Sequence, residues 1–180
     1  MNKENNNSKE LTPEIIMQMF AETDKKFAET RELIRQQSIN IGGISRSNGQ
    51  IAEDAIYTAL ERDMIFAGIE FHDIIRNQKK HRKALGIKGE YDIVLINGTM
   101  LAIIETKYKV EKKDVTKLAT TQLTNFRTLF PEYANHKIVL GIGGMGFEDD
   151  AIKEANTNGI GLIRIVGEKL EFQTENIKQY

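Results

Sequence analysis

The sequence contains no cysteine. This absence excludes disulfide bonds and thiolate metal sites, so any metal ion must be bound through oxygen or histidine ligands. It also fits the reducing environment of the cytoplasm. Long apolar runs are missing too, because the longest uninterrupted one, Met100 to Ile104, is far too short to span a bilayer. We therefore expect a cytoplasmic protein that has no membrane partner.

Residues 1–10 also lack the apolar segment of a secretory leader, since they are polar and rich in asparagine. We predict that they form a disordered tail. Proline is scarce, and one of the two prolines, Pro13, lies where a long helical pattern begins. We predict a helical arm over residues 11–40 and a main domain over residues 45–180, separated by a break at the glycine- and serine-rich residues 42–48.

The arm carries apolar residues at helical spacing, namely Ile15, Ile16, Met19, Phe20, Phe27, Leu33 and Ile34. Thr23 and Thr30 interrupt the heptads. Two predictions stay open: the arm forms a coiled coil and assembles the protein as a homo-oligomer, or it docks on the main domain.

Charge is balanced overall, with a net charge of -1, but it is uneven along the chain. Between Arg76 and Lys117 there are eleven basic and five acidic residues, a net charge of +6. A local basic band is what a phosphate-binding surface requires, although solvated surface faces also carry such charge. The candidate nucleic-acid contacts in this band are Lys79, Lys80, Arg82, Lys109, Lys112, Lys113 and Lys117.

The main domain has the pattern of an α/β protein. A capping-box spacing at Ser47 and Gln50 predicts a helix to about Glu61. There follow a strand near residues 69–75, a basic loop to Gly89, two apolar strands over 91–96 and 100–107, a helix over about 114–130, a strand over 137–142, a short helix from 148 and a strand over 161–166. This order predicts a mixed central sheet with helices on both faces.

The dipeptide Asn97-Gly98 between the two apolar strands is typical of a two-residue hairpin turn. In that register Ile96 pairs with Thr99, and Asp92 lies opposite Ile103. Residues two apart on a strand share a face, so Glu105 lies one diagonal step from Asp92.

Lys107 lies on the same face of the hairpin as Asp92 and Glu105. Buried charged groups such as these are costly unless they are paired with each other or bind a metal ion. Asp92, twelve intervening residues and then Glu105-Thr106-Lys107 resemble the motif of the PD-(D/E)XK nucleases, with Tyr91 in the place of the proline. The span from Ser47 to about Leu170 resembles their restriction-endonuclease-like fold.

The resemblance implies a Mg²⁺- or Mn²⁺-dependent nuclease that acts on nucleic acid, DNA in the first place. Asp92, Glu105 and the Thr106 carbonyl would bind the metal ion, and Lys107 would position the attacking water. The acid on the helix before the sheet is matched by Glu53, which would support the metal shell or a second ion. Glu53 lies on the apolar stripe of its helix, whereas Asp54 points away. Gln122 matches an assisting glutamine that some branches of the family carry.

Three alternatives remain at this stage. Asp92 could cap the hairpin while Glu105 pairs with Lys107 or Lys109 as a surface salt bridge. The chain could keep the nuclease fold without catalysis and assemble partners through its arm. Lastly, Gly141 to Gly146 has the form G-x-G-x-x-G of a dinucleotide-binding turn, but the acidic residues 148–150 that follow would repel a pyrophosphate, and we predict a flexible strand-to-helix turn there.

Overall fold

The computed structural model describes residues 12–167 and 169–180, and within them the side chains of all but residues 34–47. The predicted disordered tail, residues 1–10, lies outside the described residues. The chain divides into two compact units, Met1–Ile44 and Ser45–Tyr180, and each is considered by itself. Within the described residues, no helix combines the length and the apolar character needed to cross a membrane.

The first helix, α1, runs from Pro13 to Asp63. The break predicted at residues 42–48 is therefore wrong, because the backbone there is helical. A glycine inside a helix costs only about 1 kcal/mol relative to alanine. Without a proline the pair Gly42-Gly43 weakens the helix but does not end it.

The described residues of the larger unit contain eight strands. Two of them, β1 (Ile65–Phe66) and β2 (Ile69–Glu70), form a small antiparallel hairpin. The other six form one sheet in the order of the chain: β3 (Asp73–Arg82), β4 (Ile87–Ile96), β5 (Met100–Val110), β6 (Lys137–Phe147), β7 (Gly161–Val166) and β8 (Lys169–Gln173). The β5–β6 and β6–β7 pairs are parallel and the other pairs are antiparallel, so the sheet is mixed, as predicted.

Three short α-helices follow strand β5 along the described chain. They are α2 (Lys112–Lys117), α3 (Leu123–Leu129) and α4 (Asp149–Asn158). A capping box between Glu111 and Asp114 starts α2. The single helix predicted from residue 114 to 130 is instead interrupted by a π-helical turn, Leu118–Gln122, between α2 and α3. Such turns are rare and are frequent at functional sites.

The sheet is covered by a buried apolar cluster on each face. Leu101, Ile103 and Leu140 belong to the cluster that contains residues of α2, α3 and α4. Ile93 and Ile104 belong to the second cluster, with Ile56 and Leu60 of α1, which are exposed by at most 1%. Apolar residues on alternate sides of the central strands thus fix two core layers, and the predicted α/β fold with helices on both faces is confirmed.

Two local predictions are wrong. The basic residues before Gly89 do not form a loop, because strands β3 and β4 pair along their length from Asp73–Ile96 to Arg82–Ile87. The glycine run is not a flexible turn either, because Gly141 to Gly146 lies within β6. An added Cβ at Gly144 would lie 2.8 Å from the Lys107 carbonyl oxygen, and at Gly141 2.7 Å from Phe66 Cζ. Gly141 and Gly144 therefore allow neighbouring atoms to pack closely against β6.

Candidate metal and phosphodiester site

The candidate site lies where strands β4 and β5 separate. The two strands pair only from Ile96–Leu101 to Ile93–Ile104. The turn is two residues longer than predicted, since Ile96 pairs with Leu101 and not with Thr99. The cause is Asn97, whose Oδ1 accepts hydrogen bonds from the N–H groups of Thr99 (3.1 Å) and Met100 (2.8 Å).

The longer turn has an even number of residues and therefore keeps the parity of the pairing. One step beyond Ile93–Ile104, the register brings Asp92 opposite Glu105, where the prediction had them one diagonal step apart. The strands have already separated at this point. Tyr91 belongs to one core cluster and Ile93 to the other, so β4 changes its packing face at Asp92.

Asp92 accepts the hydrogen bonds that the separated strand leaves free. Its Oδ2 accepts one from the Thr106 N–H at 2.7 Å and one from the Thr106 hydroxyl at 2.9 Å. Burial, followed by the nearby charge of Glu105, raises the pKa of Asp92 from 3.8 to about 6, against the lowering effects of Thr106 and Lys107. An ionised Asp92 is therefore costly here, and a cation would relieve that cost.

Glu105 is buried, with 7% of its surface exposed, and its two carboxylate oxygens have different partners. Oε1 lies 2.5 Å from the Lys107 ammonium group, and Oε2 accepts a hydrogen bond of 2.8 Å from the Gln122 side-chain amide. Lys107 also donates to the Thr106 carbonyl at 3.0 Å. Burial by itself lowers the pKa of Lys107, but Glu105, Asp92 and Asp114 outweigh it, so the pKa is raised and the ammonium stays charged.

Gln122 reaches Glu105 from the π-helical turn. Its main-chain carbonyl accepts a hydrogen bond from the buried Tyr91 hydroxyl at 3.1 Å, which ties the turn to β4. The side-chain Oε1 of Gln122 is buried and has no hydrogen-bond partner among the residues that the structure describes. The structure thus brings five of the predicted residues together: Asp92, Glu105, Thr106, Lys107 and Gln122.

Glu53 lies near these residues and is hydrogen-bonded to two side chains that the sequence analysis did not identify. Its Oε1 accepts hydrogen bonds from Arg76 Nε at 2.7 Å and from Asn77 Nδ2 at 3.0 Å. Arg76 also pairs with Asp54. Asn77 has a φ of +53°, and the β3–β4 register skips the Asn77–Asp92 pair. A positive φ is uncommon for a non-glycine residue in a strand. Asparagine adopts it more readily than most residues, but nothing else in the sequence predicts it at this position.

A cavity of about 850 Å³ connects these groups, and Glu53, Asn77, Asp92, Thr106 and Lys107 line it. The oxygens available for a hard cation are those of Asp92 and Glu105 and the Thr106 carbonyl, which is a donor set that Mg²⁺ accepts when water completes its octahedron. Among the described residues no three Asp, Glu or His side chains are gathered as a ready metal-binding cluster. The ammonium of Lys107 already bridges the Glu105 carboxylate and the Thr106 carbonyl, so a positive charge fits at this position.

Most of the predicted nucleic-acid contacts are paired with acids. The ion pairs are Lys79–Glu90, Lys80–Glu132, Lys109–Glu148, Lys112–Glu154 and Lys113–Glu111. Arg82 and Lys117 form no ion pair within 4 Å among the described residues, and neither does Lys88. A second cleft of about 580 Å³ is lined by Lys88, Lys117 and Gln122, and it shares Lys79 and Glu90 with the first cavity.

Comparison with known proteins adds little to this picture. No family model matches the chain, and no curated protein matches it. Among solved structures, the chain is similar to a protein of unknown function, AF1548, at 16% sequence identity and a TM-score of 0.36. That match covers 60% of this chain and 54% of the other, so the chain spans about half the length of its structural neighbour.

Proposed function

We propose that this protein is a metal-dependent nuclease with a restriction-endonuclease-like domain, and that its site is formed by Asp92, Glu105 and Lys107. The observation that carries the proposal is the meeting of two carboxylates and a charged lysine where β4 and β5 separate. Buried charges are rare in proteins unless they are paired or functional. Here one carboxyl has a pKa raised to about 6, which is a common property of functional sites.

Asp92 and Glu105 would hold a Mg²⁺ or Mn²⁺ ion together with the Thr106 carbonyl. The ion would polarise the phosphate and lower the pKa of a bound water. Glu53 supports this arrangement from α1, because it fixes Arg76 and Asn77 at the cavity.

Lys107 has two roles in this proposal. Without a metal ion its ammonium compensates Glu105, at a distance of 2.5 Å. During hydrolysis the same ammonium orients the attacking water and stabilises the negative charge that develops on the phosphate. Gln122 keeps the Glu105 carboxylate in place through its 2.8 Å hydrogen bond.

The substrate class follows from charge. The second cleft shares Lys79 and Glu90 with the site cavity and contains Lys88 and Lys117, which form no ion pair within 4 Å among the described residues. A polyanion is the ligand that such a cleft favours. We propose a nucleic acid, in the first place DNA.

The test is cleavage of labelled single- and double-stranded DNA and RNA with Mg²⁺, with Mn²⁺ and with chelator. Lys107→Ala should lower the cleavage rate roughly a hundredfold or more, since it removes an electrostatic group at the reaction centre. Lys153→Ala is the matched control, because that exposed lysine lies on α4, pairs with Asp150 and is not among the candidate nucleic-acid contacts. Equal rates for the two variants would refute the proposed role of Lys107.

A second candidate is a non-catalytic protein that keeps this fold and binds partners. It is favoured by the Lys107–Glu105 contact, which satisfies the buried carboxylate without any metal ion. In that case Mg²⁺ would not raise the melting temperature of the wild-type protein, whereas a resident metal ion stabilises the folded state by mass action.

A further inference from the structure

The exposed apolar face of the arm has a regular seven-residue repeat. Phe20-Ala21-Glu22-Thr23 recurs as Phe27-Ala28-Glu29-Thr30. Starting from Ile16, the steps to Phe20, Thr23, Phe27 and Thr30 alternate between four and three residues, which is the spacing of a coiled-coil seam. Phenylalanine thus occupies one seam position of each heptad and threonine the other. Phe20 and Phe27 are 68% and 56% exposed. Without a partner, two large apolar side chains therefore remain in contact with water.

The two threonines interrupt the apolar pattern of this seam, but their hydroxyl groups are satisfied within α1. The Thr23 hydroxyl donates to the Met19 carbonyl at 2.7 Å, and the Thr30 hydroxyl donates to the Lys26 carbonyl at 2.8 Å. Each hydroxyl therefore has its hydrogen bond within α1. A partner helix could cover these positions without leaving a buried polar group unsatisfied.

A preformed hole lies on the same face. Ile16, Met19, Phe20 and Thr23 line a hollow of about 280 Å³. These residues stand at positions i, i+3, i+4 and i+7, which are the four positions that surround a knob in knobs-into-holes packing. The hollow therefore fits a side chain from another helix.

We propose that this face binds the same segment of a second copy of the chain, and that the two helices are antiparallel. We choose the register in which the numbers of two facing residues add up to 50. In this register Phe20 faces Thr30 of the second copy, and Phe27 faces its Thr23. Each layer then contains one large and one small side chain. A parallel pair would instead stack phenylalanine on phenylalanine and threonine on threonine, which leaves gaps in every second layer.

Charge along the arm supports the same orientation. Residues 12–24 carry Glu14, Glu22 and Asp24 and no basic residue, a net charge of -3, whereas residues 25–33 carry three basic and two acidic residues, a net charge of +1. An antiparallel pair brings the acidic half of one helix to the weakly basic half of the other. A parallel pair would bring Lys26 beside Arg31. In the antiparallel pair Lys26 meets its own copy near the twofold axis, where its long stem lets the ammonium group reach water.

Sedimentation of the full-length chain tests the interface. We expect a dimer at micromolar concentration, and Phe20→Asp/Phe27→Asp should weaken it by about a hundredfold or more, because burial of four carboxylates in the seam is costly. Ala21→Asp/Ala28→Asp is the matched control, since it introduces the same charges one residue further on, outside the seam. That control should leave the dimer intact. A monomeric wild-type protein, or equal loss in both variants, would overturn the proposal.

Disulfide trapping tests the orientation, because the chain has no cysteine of its own. A mixture of Phe20→Cys and Thr30→Cys chains should form the mixed disulfide under mild oxidation. Thr30→Cys alone should stay unlinked. A disulfide between two Thr30→Cys chains would overturn the antiparallel arrangement in favour of a parallel one. Neither readout depends on nuclease activity, so failure of the proposed function would leave this test unaffected.

Discussion

Replacement of Asp92 by asparagine should stabilise the metal-free protein at neutral pH. The substitution keeps the size of the side chain and an oxygen that can accept both hydrogen bonds from Thr106. It removes the negative charge that burial and Glu105 disfavour. Replacement of a residue that serves a functional site at the expense of stability commonly makes a protein more stable.

The size and the pH dependence of the effect follow from the raised pKa. Below pH 3.8 the carboxyl is protonated in both the folded and the unfolded state, so it costs nothing. Above about pH 6 the folded protein must ionise it, and the rise in pKa from 3.8 to about 6 corresponds to a loss of about 3 kcal/mol. The advantage of Asp92→Asn should therefore grow between these two pH values and stay constant above them.

Urea or thermal unfolding of both proteins across this pH range measures the effect. The expected difference in melting temperature at neutral pH is on the order of 10 °C. Glu171→Gln serves as the control, because Glu171 is exposed on β8. Addition of Mg²⁺ should reverse the order, since only the wild-type protein gains stability from the ion.

The reasoning would be refuted by an Asp92→Asn variant whose stability relative to wild type is the same at pH 4 and pH 8, because the carboxyl would then carry no folded-state penalty. A Mg²⁺ effect of equal size in both proteins would exclude Asp92 as a metal ligand.

Further predictions concern packing near the site and the arm. Gly144→Ala should lower stability by about 1–3 kcal/mol and also slow cleavage, because its Cβ would press on the Lys107 carbonyl. Gly146→Ala should have little effect in unfolding and cleavage assays, because its Cβ would meet Lys109 Cγ at 3.8 Å, an ordinary contact distance. Tyr91→Phe should cost about 1 kcal/mol in urea unfolding, since the Gln122 carbonyl loses its hydrogen bond. Deletion of residues 1–40 should abolish dimer formation in sedimentation while circular dichroism of the remaining domain stays that of a folded α/β protein; an unfolded product would contradict this.

The central strands could be predicted from sequence because both of their faces are buried. Strands β4 and β5 are almost entirely apolar between Ile93 and Ile104, and their turn signal fixed the parity of the pairing even though the turn is longer than predicted. The second half of strand β3, residues 76–82, was mistaken for a loop, because none of these residues is apolar. It pairs with only one strand, and an edge strand of this kind can carry lysine and arginine.

The contacts that shape the site depend on tertiary structure and could not be predicted. Arg76 and Asn77 reach Glu53 only because β3 lies beside α1, more than twenty residues away in sequence. Capping residues and prolines mark the ends of helices in a sequence, but no comparable residue marks the π-helical turn that carries Gln122. The pairing of basic residues with distant acids, such as Lys109 with Glu148, also lies beyond any local count of charge.

The central claim is tested most directly by the rate of phosphodiester cleavage under single-turnover conditions for wild-type protein and Glu105→Gln, purified in parallel. Glutamine keeps the shape of the buried side chain but removes the charge that the metal ion requires. We predict cleavage by the wild type with Mg²⁺ or Mn²⁺, none with chelator, and a loss of at least about a hundredfold in the variant. Cleavage at equal rates by both proteins, or no cleavage of any DNA or RNA by the wild type, would contradict the proposed function.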